Sequence, residues 1–489
     1  MTAGAMTATQ GRFEAEQSLV FPPLHELPGI SSVSQQTESQ VQEEFFDTPG
    51  RGLARWGIVL TRRTDAFGTT WTRTALAGEP EGAGTSVAGS GAGPEVPEQL
   101  LEGIRGYVRG RDLHPVRRRD IRRLAYGLVN DAGQPAGSVS DEQISVQDAD
   151  GSVVSAGREW RTEGLAGGLE GSVRELFTAS GARPAGPGQA AVLEEPGVAS
   201  GTDATMGGML MAYLADQYAE LLQQESRVRR SDPEGIHKMR VSTRRMRSVL
   251  ASYRRILAQE PAHRLRGELK WVAAVLGAAR DVQVMHQRLQ TLLAGQPSEP
   301  VLDPVSARID ADMARNFQQA LGSVREMLVS DRYFELLEDL EQLIDHPALS
   351  PVSGEDAGQA MLATLRKDRR RLHRTVRSAS VMAPATRADE LHEARKDAKR
   401  LRYAAELCEP VQPAVARKLV DAAERVQKVL GEHQDSVVTR QHLRRMGAAA
   451  TGRGENGFTF GRLHTVEEMR GEAAEEAFNH VWKGFPHVP

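Results

Sequence analysis

The sequence has few of the residues that build cross-linked, membrane-spanning or aromatic-rich proteins. Its 489 residues include one cysteine, Cys408, which excludes an intramolecular disulfide and favours a reducing cytoplasm. Aromatic residues make up 5% of the chain, and no run of about 18 apolar residues occurs, so we expect no transmembrane helix and no membrane partner. Residues 1–17 lack the basic start and apolar middle of a secretory signal. The length predicts two or three domains.

The charges are distributed unevenly along the chain. The 61 Lys and Arg residues against 65 Asp and Glu residues give a net charge of −4. Residues 1–210 carry 18 basic and 27 acidic side chains, whereas the rest of the chain carries 43 basic and 38 acidic ones. The basic residues of the second part are clustered, most densely in residues 366–377 and 395–402. Clustered basic charge indicates a polyanionic partner.

The first part of the chain has the pattern of an antiparallel α+β domain. Residues 13–78 contain four segments of strand-like composition, separated by proline and glycine. Residues 79–95 are rich in Gly, Ala and Ser and predict a flexible excursion. A helical segment follows, and residues 125–140 predict a hairpin that turns around Asp131 and Gly133.

From Thr205 onward the pattern changes to long helical segments, and two of these share a basic stripe. The segments are HKMRVSTRRMRSVL from His237 and HEARKDAKRLRYAAE from His392. In each, basic residues follow the histidine at +3, +7, +8 and +10. At about 100° per residue, the histidine and positions +3, +7 and +10 lie within about 80° of one another, with +8 on the flank. The stripes consist of His237, Arg240, Arg244, Arg245 and Arg247, and of His392, Arg395, Lys399, Arg400 and Arg402.

A second motif, Leu-Gly-x-x-x-Asp, follows each stripe at nearly the same distance. Leu276 lies 39 residues after His237, and Leu430 lies 38 residues after His392. The paired spacing predicts two copies of a helical unit related by a pseudo-twofold axis, about 205–345 and 358–485. Helices joined by short loops form bundles, so we expect two bundles whose basic helices line one shared surface. The aspartates of the motif, Asp281 and Asp435, are expected to orient the cations or to support packing.

The stripes suit phosphate better than catalysis. Arg forms bidentate contacts with phosphate and Lys supplies a point charge, so cations about one turn apart can follow a chain of phosphates. No carboxylate pair, nucleophile–base spacing or HExxH run accompanies them. The segments also lack exposed aromatic residues for stacking single-stranded bases, which favours a phosphate polymer over nucleic acid. A merely solvated basic face is the structural alternative, and each histidine could be only a cap or hydrogen-bonding group.

These motifs, with LGAARD and VLGEHQD, resemble the paired signatures of the CHAD domain (conserved histidine α-helical domain) over residues 205–485. The resemblance implies an all-α fold of two similar bundles that binds inorganic polyphosphate along a basic channel. It makes the ten stripe residues candidate ligand contacts, with Lys396 and Lys238 as additional cations. The expected protein is a non-enzymatic polyphosphate-binding protein without a cofactor, at cytoplasmic polyphosphate granules and beside granule-associated proteins.

Residues 13–195 resemble a CYTH domain, a triphosphate-tunnel fold that often precedes a CHAD domain. That fold opens with Glu-x-Glu-x-Lys, whose carboxylates bind divalent metal and whose lysine helps to hold triphosphate. Here Glu14, Glu16 and Ser18 occupy those positions, so the lysine is replaced. Further replacements of expected charged residues are Thr61, Thr74 and Ser138. Because a metal-dependent phosphohydrolase needs such groups, we expect a degenerate domain that serves as a scaffold or partner-binding module.

Two alternatives stay open. The first is a triphosphate or tripolyphosphate hydrolase that uses Mg²⁺ or Mn²⁺ at Glu14 and Glu16, and the second is nucleic-acid binding by the basic helices. The remaining domain boundaries are a disordered N-terminus at residues 1–12 and a linker at 196–204. The arginines that remain in the tunnel-like domain are Arg62, Arg63, Arg118, Arg119, Arg122 and Arg123.

Overall fold

The chain divides into two compact units, Met1–Val198 and Ala199–Pro489. The computed structural model describes residues 11–34, 37–74, 85–89, 95–185, 205–296, 305–354 and 356–488. The predicted linker at 196–204 lies outside these residues, as do residues 1–10 of the predicted disordered N-terminus and most of the excursion predicted for residues 79–95.

The N-terminal unit is an antiparallel sheet with two helices. Its strands are β1 Gly11–Glu14, β2 Ile30–Val33, β3 Thr37–Asp47, β4 Leu60–Asp65, β5 Gly68–Arg73, β6 Thr85–Gly89, β7 His114–Asn130, β8 Pro135–Asp148, β9 Val153–Glu163 and β10 Arg183–Pro184, and its helices are α1 Glu98–Val108 and α2 Leu169–Ala179. The strand order is β10-β1-β9-β8-β7-β3-β4-β5-β6, with β2 beside β7. Every pairing is antiparallel, which confirms the predicted tunnel-like α+β unit.

Alternation along the strands gives the sheet one apolar and one charged face. Phe13 on β1 and Trp160 on β9 are buried and pack with Phe177 of α2, with ring centroids 5.2 Å apart in each pair. Their neighbours Arg12 and Glu159 point to the opposite face because successive side chains of a strand alternate. The apolar face therefore holds the core of this unit, and the other face is left for charged groups.

The sequence predicted the central hairpin correctly and two other segments incorrectly. β7 and β8 meet at the expected turn, where Gly133 has a φ of 73° and the Asn130 side chain accepts two backbone N–H bonds. Residues 85–89, expected to be flexible, form β6 and pair with β5. The first strand begins at Gly11, two residues before the predicted strand region of residues 13–78, and ends at Glu14.

The C-terminal unit consists of long helices. They are α3 Met206–Arg229, α4 Pro233–Ser252, α5 Gln259–Ala294, α6 Val305–Leu328, α7 Asp331–Asp345, α8 Ala357–Val381, α9 Pro384–Cys408, α10 Pro413–Gly452 and α11 Phe458–Lys483. α4 begins as predicted: the Asp232 side chain accepts a hydrogen bond of 2.9 Å from the backbone N–H of Glu234, and Pro233 occupies the first turn. No helix of the described residues is long and apolar enough to span a membrane.

The helices form two matching sets, α3–α6 and α8–α11. Within each set, successive helices pack together, and the sets meet through the equivalent pairs α3–α8, α4–α9 and α5–α10. Contact between equivalent elements is what a pseudo-twofold arrangement requires, so the predicted repeat is confirmed. α7 has no counterpart in the second set among the residues that the structure describes.

Polar contacts join the two sets at buried positions. The Tyr253 hydroxyl, at the end of α4, donates a 2.9 Å hydrogen bond to the carbonyl oxygen of Ala404 on α9. Arg288 on α5 pairs with Glu432 on α10 at 2.7 Å and with Glu467 on α11 at 2.6 Å. The Glu467 side chain is 0% exposed, so the carboxylate of the Arg288–Glu467 pair is fully removed from solvent.

Candidate functional site

The two basic stripes face each other where α4 packs against α9. Arg240 and Arg244 of α4 lie close enough to Arg395 and Lys399 of α9 for their charges to interact. The Arg244 Nε atom donates a 2.9 Å hydrogen bond to the Tyr403 hydroxyl, which connects the helices directly. We call Arg240, Arg244, Arg395 and Lys399 the central cluster.

Positive charge in the central cluster is poorly compensated. Burial, together with the charges of Arg395, Arg244 and Arg240, lowers the pKa of Lys399 to about 6. Arg244, Arg395 and Lys399 form no ion pair with a carboxylate of the described residues, and the buried Nε of Arg395 has no hydrogen-bond partner there. A group of partly desolvated basic side chains, of which only Arg240 has an ion pair among the described residues, favours binding of an anion, which would restore both charge balance and hydrogen bonds.

The glycine of each Leu-Gly-x-x-x-Asp motif makes room for one arginine of the cluster. A Cβ atom at Gly277 would lie 3.5 Å from the Arg240 Nε, and one at Gly431 would lie 3.2 Å from the Arg395 Nη2. The sequence suggested a close approach of two helices at these glycines. The structure shows that it is the guanidinium group of the basic stripe that fills the space.

The aspartates of the two motifs lie beside the same arginines. Asp281 pairs with Arg240 at 3.3 Å and is 70% exposed. Burial raises the pKa of Asp435, whereas the charge of Arg395 lowers it, so this carboxylate lies deeper and still interacts with its arginine. These contacts support an orienting role for both aspartates.

The histidines lie at the outer end of each stripe and are half-buried. Burial lowers the pKa of His237, and the nearby charge of Arg280 lowers it further. Burial likewise lowers the pKa of His392, followed by the charges of Lys396 and Arg395. The Nδ1 atom of His392 is buried and has no hydrogen-bond partner among the described residues. Both imidazole rings therefore stay neutral to a lower pH than a free histidine does.

The other predicted site residues are largely committed to contacts within the protein. Glu406 accepts from Arg402 at 3.0 Å and lies 3.2 Å from the Nε of Arg245, so it compensates two cations of the stripes. Arg400 lies 3.1 Å from the buried Asp368 and donates to the carbonyl oxygen of Ala251.

The two lysines outside the stripe pattern and the last arginine of the first stripe complete the predicted set. Lys396 pairs with Glu393 at 2.6 Å on the exposed side of α9, and Lys238 is exposed on α4. Arg247 is half-buried and forms no ion pair with a carboxylate of the described residues. Ligand contact by each of the twelve residues stays a prediction, and Arg240, Arg244, Arg395 and Lys399 are the ones that lie together between α4 and α9.

Sequence reasoning missed two residues that shape this site. Tyr403 is 2% exposed and its ring lies 5.7 Å from the Arg244 guanidinium and 5.8 Å from that of Arg245. It follows His392 by 11 residues, which is again the same helical face, so the stripe pattern contained the signal. Arg280 precedes Asp281 within the first Leu-Gly-x-x-x-Asp motif and acts on His237.

The N-terminal unit carries its own charged face, but there the charges are paired. Carboxylates compensate all six arginines that the sequence singled out: Arg62 with Glu44, Arg63 and Arg119 with Glu43, Arg118 with Asp120, Arg122 with Glu38, and Arg123 with Glu142. The sequence reasoning had missed Glu142 and Glu159, each of which contacts two arginines. Arg12 and Arg161 both pair with Glu159, at 2.6 and 2.9 Å.

The two weak metal candidates lie at the edge of this unit. Glu14 is exposed at the end of β1, and Glu16 is exposed in the loop that follows. Within the described ranges, no group of three or more His, Cys, Asp or Glu side chains is arranged to hold a metal ion. A role for Glu14 and Glu16 in metal binding therefore stays a prediction without a supporting contact.

Comparison with known proteins agrees with this architecture. The CHAD domain family matches residues 212–444. Uncharacterized protein Rv2226 of Mycobacterium tuberculosis (strain ATCC 25618 / H37Rv) is 30% identical over 95% of this chain and 93% of its own length. The same values hold for uncharacterized protein MT2285 of strain CDC 1551 / Oshkosh.

Two solved structures are similar to part of the chain. PptA from Streptomyces chartreusis is 22% identical, with a TM-score of 0.48, over 57% of this chain and 99% of that one. The CHAD domain from the plant Ricinus communis is 25% identical, with a TM-score of 0.47, over 59% of this chain and 94% of that one. The family match, the repeated helical architecture and the relative that is alike over nearly the whole length show that this chain belongs to the family of CHAD-domain proteins.

Proposed function

We propose that this protein binds inorganic polyphosphate through the central cluster. The observation that carries the proposal is the meeting of Arg240, Arg244, Arg395 and Lys399 from two helices with so few carboxylates nearby. The structural alternative of two solvated stripes does not account for cations that are half-buried against one another. Burial of like charges is unfavourable unless a counter-charge binds, and a chain of phosphates supplies one at each repeat.

The arginines of the cluster are held in orientations that suit phosphate. Tyr403 fixes Arg244 through its hydroxyl, and Gly277 and Gly431 leave room for the guanidinium groups of Arg240 and Arg395. A charge-assisted hydrogen bond contributes about 1.5–3 kcal/mol, so a few such contacts are enough for tight binding of a flexible polyanion. Preorganised donors lower the entropy lost on binding.

Nucleic acid is the less favoured ligand for the same surface. Base stacking needs an exposed aromatic face, and Tyr403 lies buried beneath Arg244 and Arg245. Competition between long-chain polyphosphate and single-stranded DNA, at equal phosphate concentration and fixed salt, distinguishes the two. We expect polyphosphate to displace DNA, and displacement of polyphosphate by DNA would contradict the assignment.

A hydrolase that uses the N-terminal unit is the remaining alternative. Its arginines are already bound by carboxylates such as Glu43 and Glu142, so a triphosphate would have to displace those pairs. We expect no phosphate release from tripolyphosphate with Mg²⁺ or Mn²⁺. Turnover by the purified protein that Glu14→Ala and Glu16→Ala together abolish would establish the alternative.

The direct test is polyphosphate binding by the full chain at several salt concentrations. Wild-type affinity should fall steeply as salt rises because binding releases counterions. We expect Arg240→Glu with Arg395→Glu to lower the affinity by about 100-fold or more, since at least two charge-assisted contacts are lost and replaced by repulsion.

A charge-matched control uses Arg417→Glu with Lys418→Glu, two exposed residues in the first turns of α10. This control should bind like wild type apart from a small effect of net charge. Equal loss in the control and the cluster variant would mean that only total charge matters. Unfolding curves of all variants show whether the helices remain intact.

We further propose that polyphosphate binding brings the protein to polyphosphate granules, where granule-associated proteins are candidate partners. A fluorescent fusion should form foci that coincide with stained granules, and Arg240→Glu with Arg395→Glu should disperse them. Foci that persist in this variant would show that a different surface, such as the N-terminal unit, is responsible for localisation.

A further inference from the structure

The cationic row on α4 continues beyond the central cluster. Arg240, Arg244 and Arg247 share one face of α4 with Ala251 on the next turn, and Arg254 follows in the turn after the helix ends at Ser252. Ala251 carries no charge, but the Arg400 Nη2 donates a 2.8 Å hydrogen bond to its carbonyl oxygen. Arg400 of α9 therefore supplies the positive group at the one position where the α4 row lacks it.

Two residues from other helices join this end of the row. Burial lowers the pKa of Arg266 on α5, and the charges of Arg400 and Arg254 lower it further. Burial also lowers the pKa of Lys367 on α8, with Arg254 as the next cause. Lys367 directly precedes Asp368, the carboxylate that holds Arg400 at 3.1 Å. We call Arg247, Arg254, Arg266 and Lys367 the outer cluster.

The outer cluster has the same imbalance as the central one. None of its four members forms an ion pair with a carboxylate of the described residues, and the buried Nε of Arg266 has no hydrogen-bond partner there. Arg254 and Lys367 are exposed, whereas Arg247 and Arg266 are half-buried. The nearby Asp368 is 2% exposed and already bound to Arg400 and to the Ser252 hydroxyl. Its charge raises the pKa of Lys367, but burial and the charge of Arg254 outweigh it, so the cluster stays under-compensated.

Arg247 connects the two clusters. Burial lowers its pKa, and the charges of Arg244, from the central cluster, and Arg266, from the outer cluster, lower it further. From Arg240 to the end of α4 at Ser252, two residues before Arg254, the row spans 12 residues, or about 18 Å at 1.5 Å per residue. A ligand that reaches from Arg240 to Arg254 must be an extended polyanion, because a short phosphate compound covers only part of this row.

We propose that the outer cluster is a second binding site for the same linear polyphosphate chain, which lies across both clusters and is selected for its length. This inference rests on the proposed function, and it adds the residues Arg254, Arg266 and Lys367, which lie outside both basic stripes. The central cluster provides the strongest contacts with any polyphosphate, and the outer cluster contributes only when the chain is long enough to reach it.

The test compares long-chain polyphosphate with tripolyphosphate on the full-length protein. The variant is Arg254→Glu with Lys367→Glu, because both side chains are exposed and neither has an ion-pair partner among the described residues. We expect about a tenfold loss of affinity for the long chain and a shallower salt dependence, since fewer counterions are released. Tripolyphosphate affinity, measured by competition, should stay within about twofold of wild type. Arg417→Glu with Lys418→Glu serves again as the charge-matched control.

The possible results separate this inference from the proposed function. If wild type binds no polyphosphate, the proposed function is wrong. A second result is that wild type binds the long chain and that Arg240→Glu with Arg395→Glu abolishes this binding, whereas Arg254→Glu with Lys367→Glu binds like the control. In that case the proposed function stands and the outer cluster is not a binding site. Equal losses for the long chain and tripolyphosphate in the outer-cluster variant would also overturn the inference, because length selection requires a difference.

Discussion

Replacing Gly431 with alanine should stabilise the fold and weaken ligand binding at the same time. Gly431 lies inside α10, where alanine is favoured over glycine by about 1 kcal/mol. The added Cβ would lie 3.2 Å from the Arg395 Nη2 and 3.4 Å from its Nε, so the guanidinium group must move by a few tenths of an ångström. The fold tolerates such a shift because the far end of the arginine side chain can move, but its donors then leave the position that we propose for phosphate contact.

The size of the affinity loss follows from the single contact that is disturbed. If the shift removes about half of a charge-assisted hydrogen bond of about 1.5–3 kcal/mol, affinity for polyphosphate falls by about 3- to 10-fold. At the equivalent Gly277, a Cβ would lie at an ordinary contact distance of 3.5 Å from the Arg240 Nε. Gly277→Ala should therefore give the gain in stability with little loss of affinity.

The assay measures urea unfolding and polyphosphate binding for the same preparations. Gly322→Ala is the matched control, since Gly322 lies within α6 and a Cβ there meets no atom within 4 Å. It should raise the free energy of unfolding and leave binding unchanged. The reasoning is refuted if Gly431→Ala binds as tightly as wild type, or if Gly277→Ala loses as much affinity as Gly431→Ala.

Three further predictions concern protonation, the tyrosine and the buried ion pair. Lys399, with a pKa of about 6, is mostly neutral in the free protein at neutral pH, and a bound polyanion raises that pKa, so binding takes up a proton. Affinity for polyphosphate should therefore rise as pH falls from about 8 to 6. Lys399→Met should flatten this pH dependence in a binding titration. Tyr403→Phe removes the acceptor of the Arg244 Nε and should lower affinity by a few fold in the same binding assay, with less than about 1.5 kcal/mol lost in urea unfolding. Arg288→Met leaves the buried Glu467 with the longer 3.3 Å contact to Arg470 as its one ion pair among the described residues, and it should cost about 3–5 kcal/mol of unfolding free energy. Arg288→Met combined with Glu467→Leu should restore most of that loss.

The helical repeat could be predicted because it shows in the local periodicity of the sequence. The meeting of the two stripes could be predicted because the stripes lie on equivalent helices of that repeat. A histidine followed by cations at helical spacing defines one face of a helix, whatever that helix packs against. Two copies with matching spacing to Gly277 and Gly431 then require equivalent helices, and the structure has α4 and α9 in contact. The symmetry of the repeat was thus enough to predict which two helices pack together.

The division of the stripes into free and compensated cations could not be predicted. Glu406 lies four residues after Arg402, which suggests their pairing, but its approach to Arg245 depends on the distance between α9 and α4. Arg400 is held by Asp368, whose position relative to α9 is set by the packing of α8. Arg247 and Arg402 occupy equivalent positions, yet of the two only Arg402 has an ion pair among the described residues, because the neighbours of each arginine are set by helix packing.

Composition misled the reading of the N-terminal unit in one segment. Residues 85–89 lie in a stretch rich in Gly, Ala and Ser, and these residues have low strand propensity. They nevertheless pair with β5, since the edge of an existing sheet supplies hydrogen bonds that propensity does not describe. Likewise, Glu142 and Glu159 became recognisable as partners of the arginines only through the register of β8 and β9.

The pseudo-twofold relation of the central cluster has a consequence for the direction of the bound chain. A nucleic-acid strand has distinct 5′ and 3′ ends, whereas a linear polyphosphate reads the same from either end. In the central cluster, Arg240 on α4 and Arg395 on α9 are equivalent under the pseudo-twofold axis. A polymer without polarity can therefore enter the proposed site in either orientation, which adds a statistical factor of two, about 0.4 kcal/mol, and it can also shift along the site by single phosphate units. If the outer cluster is the second site proposed above, it lies at one end of the row and directs a long chain toward that end.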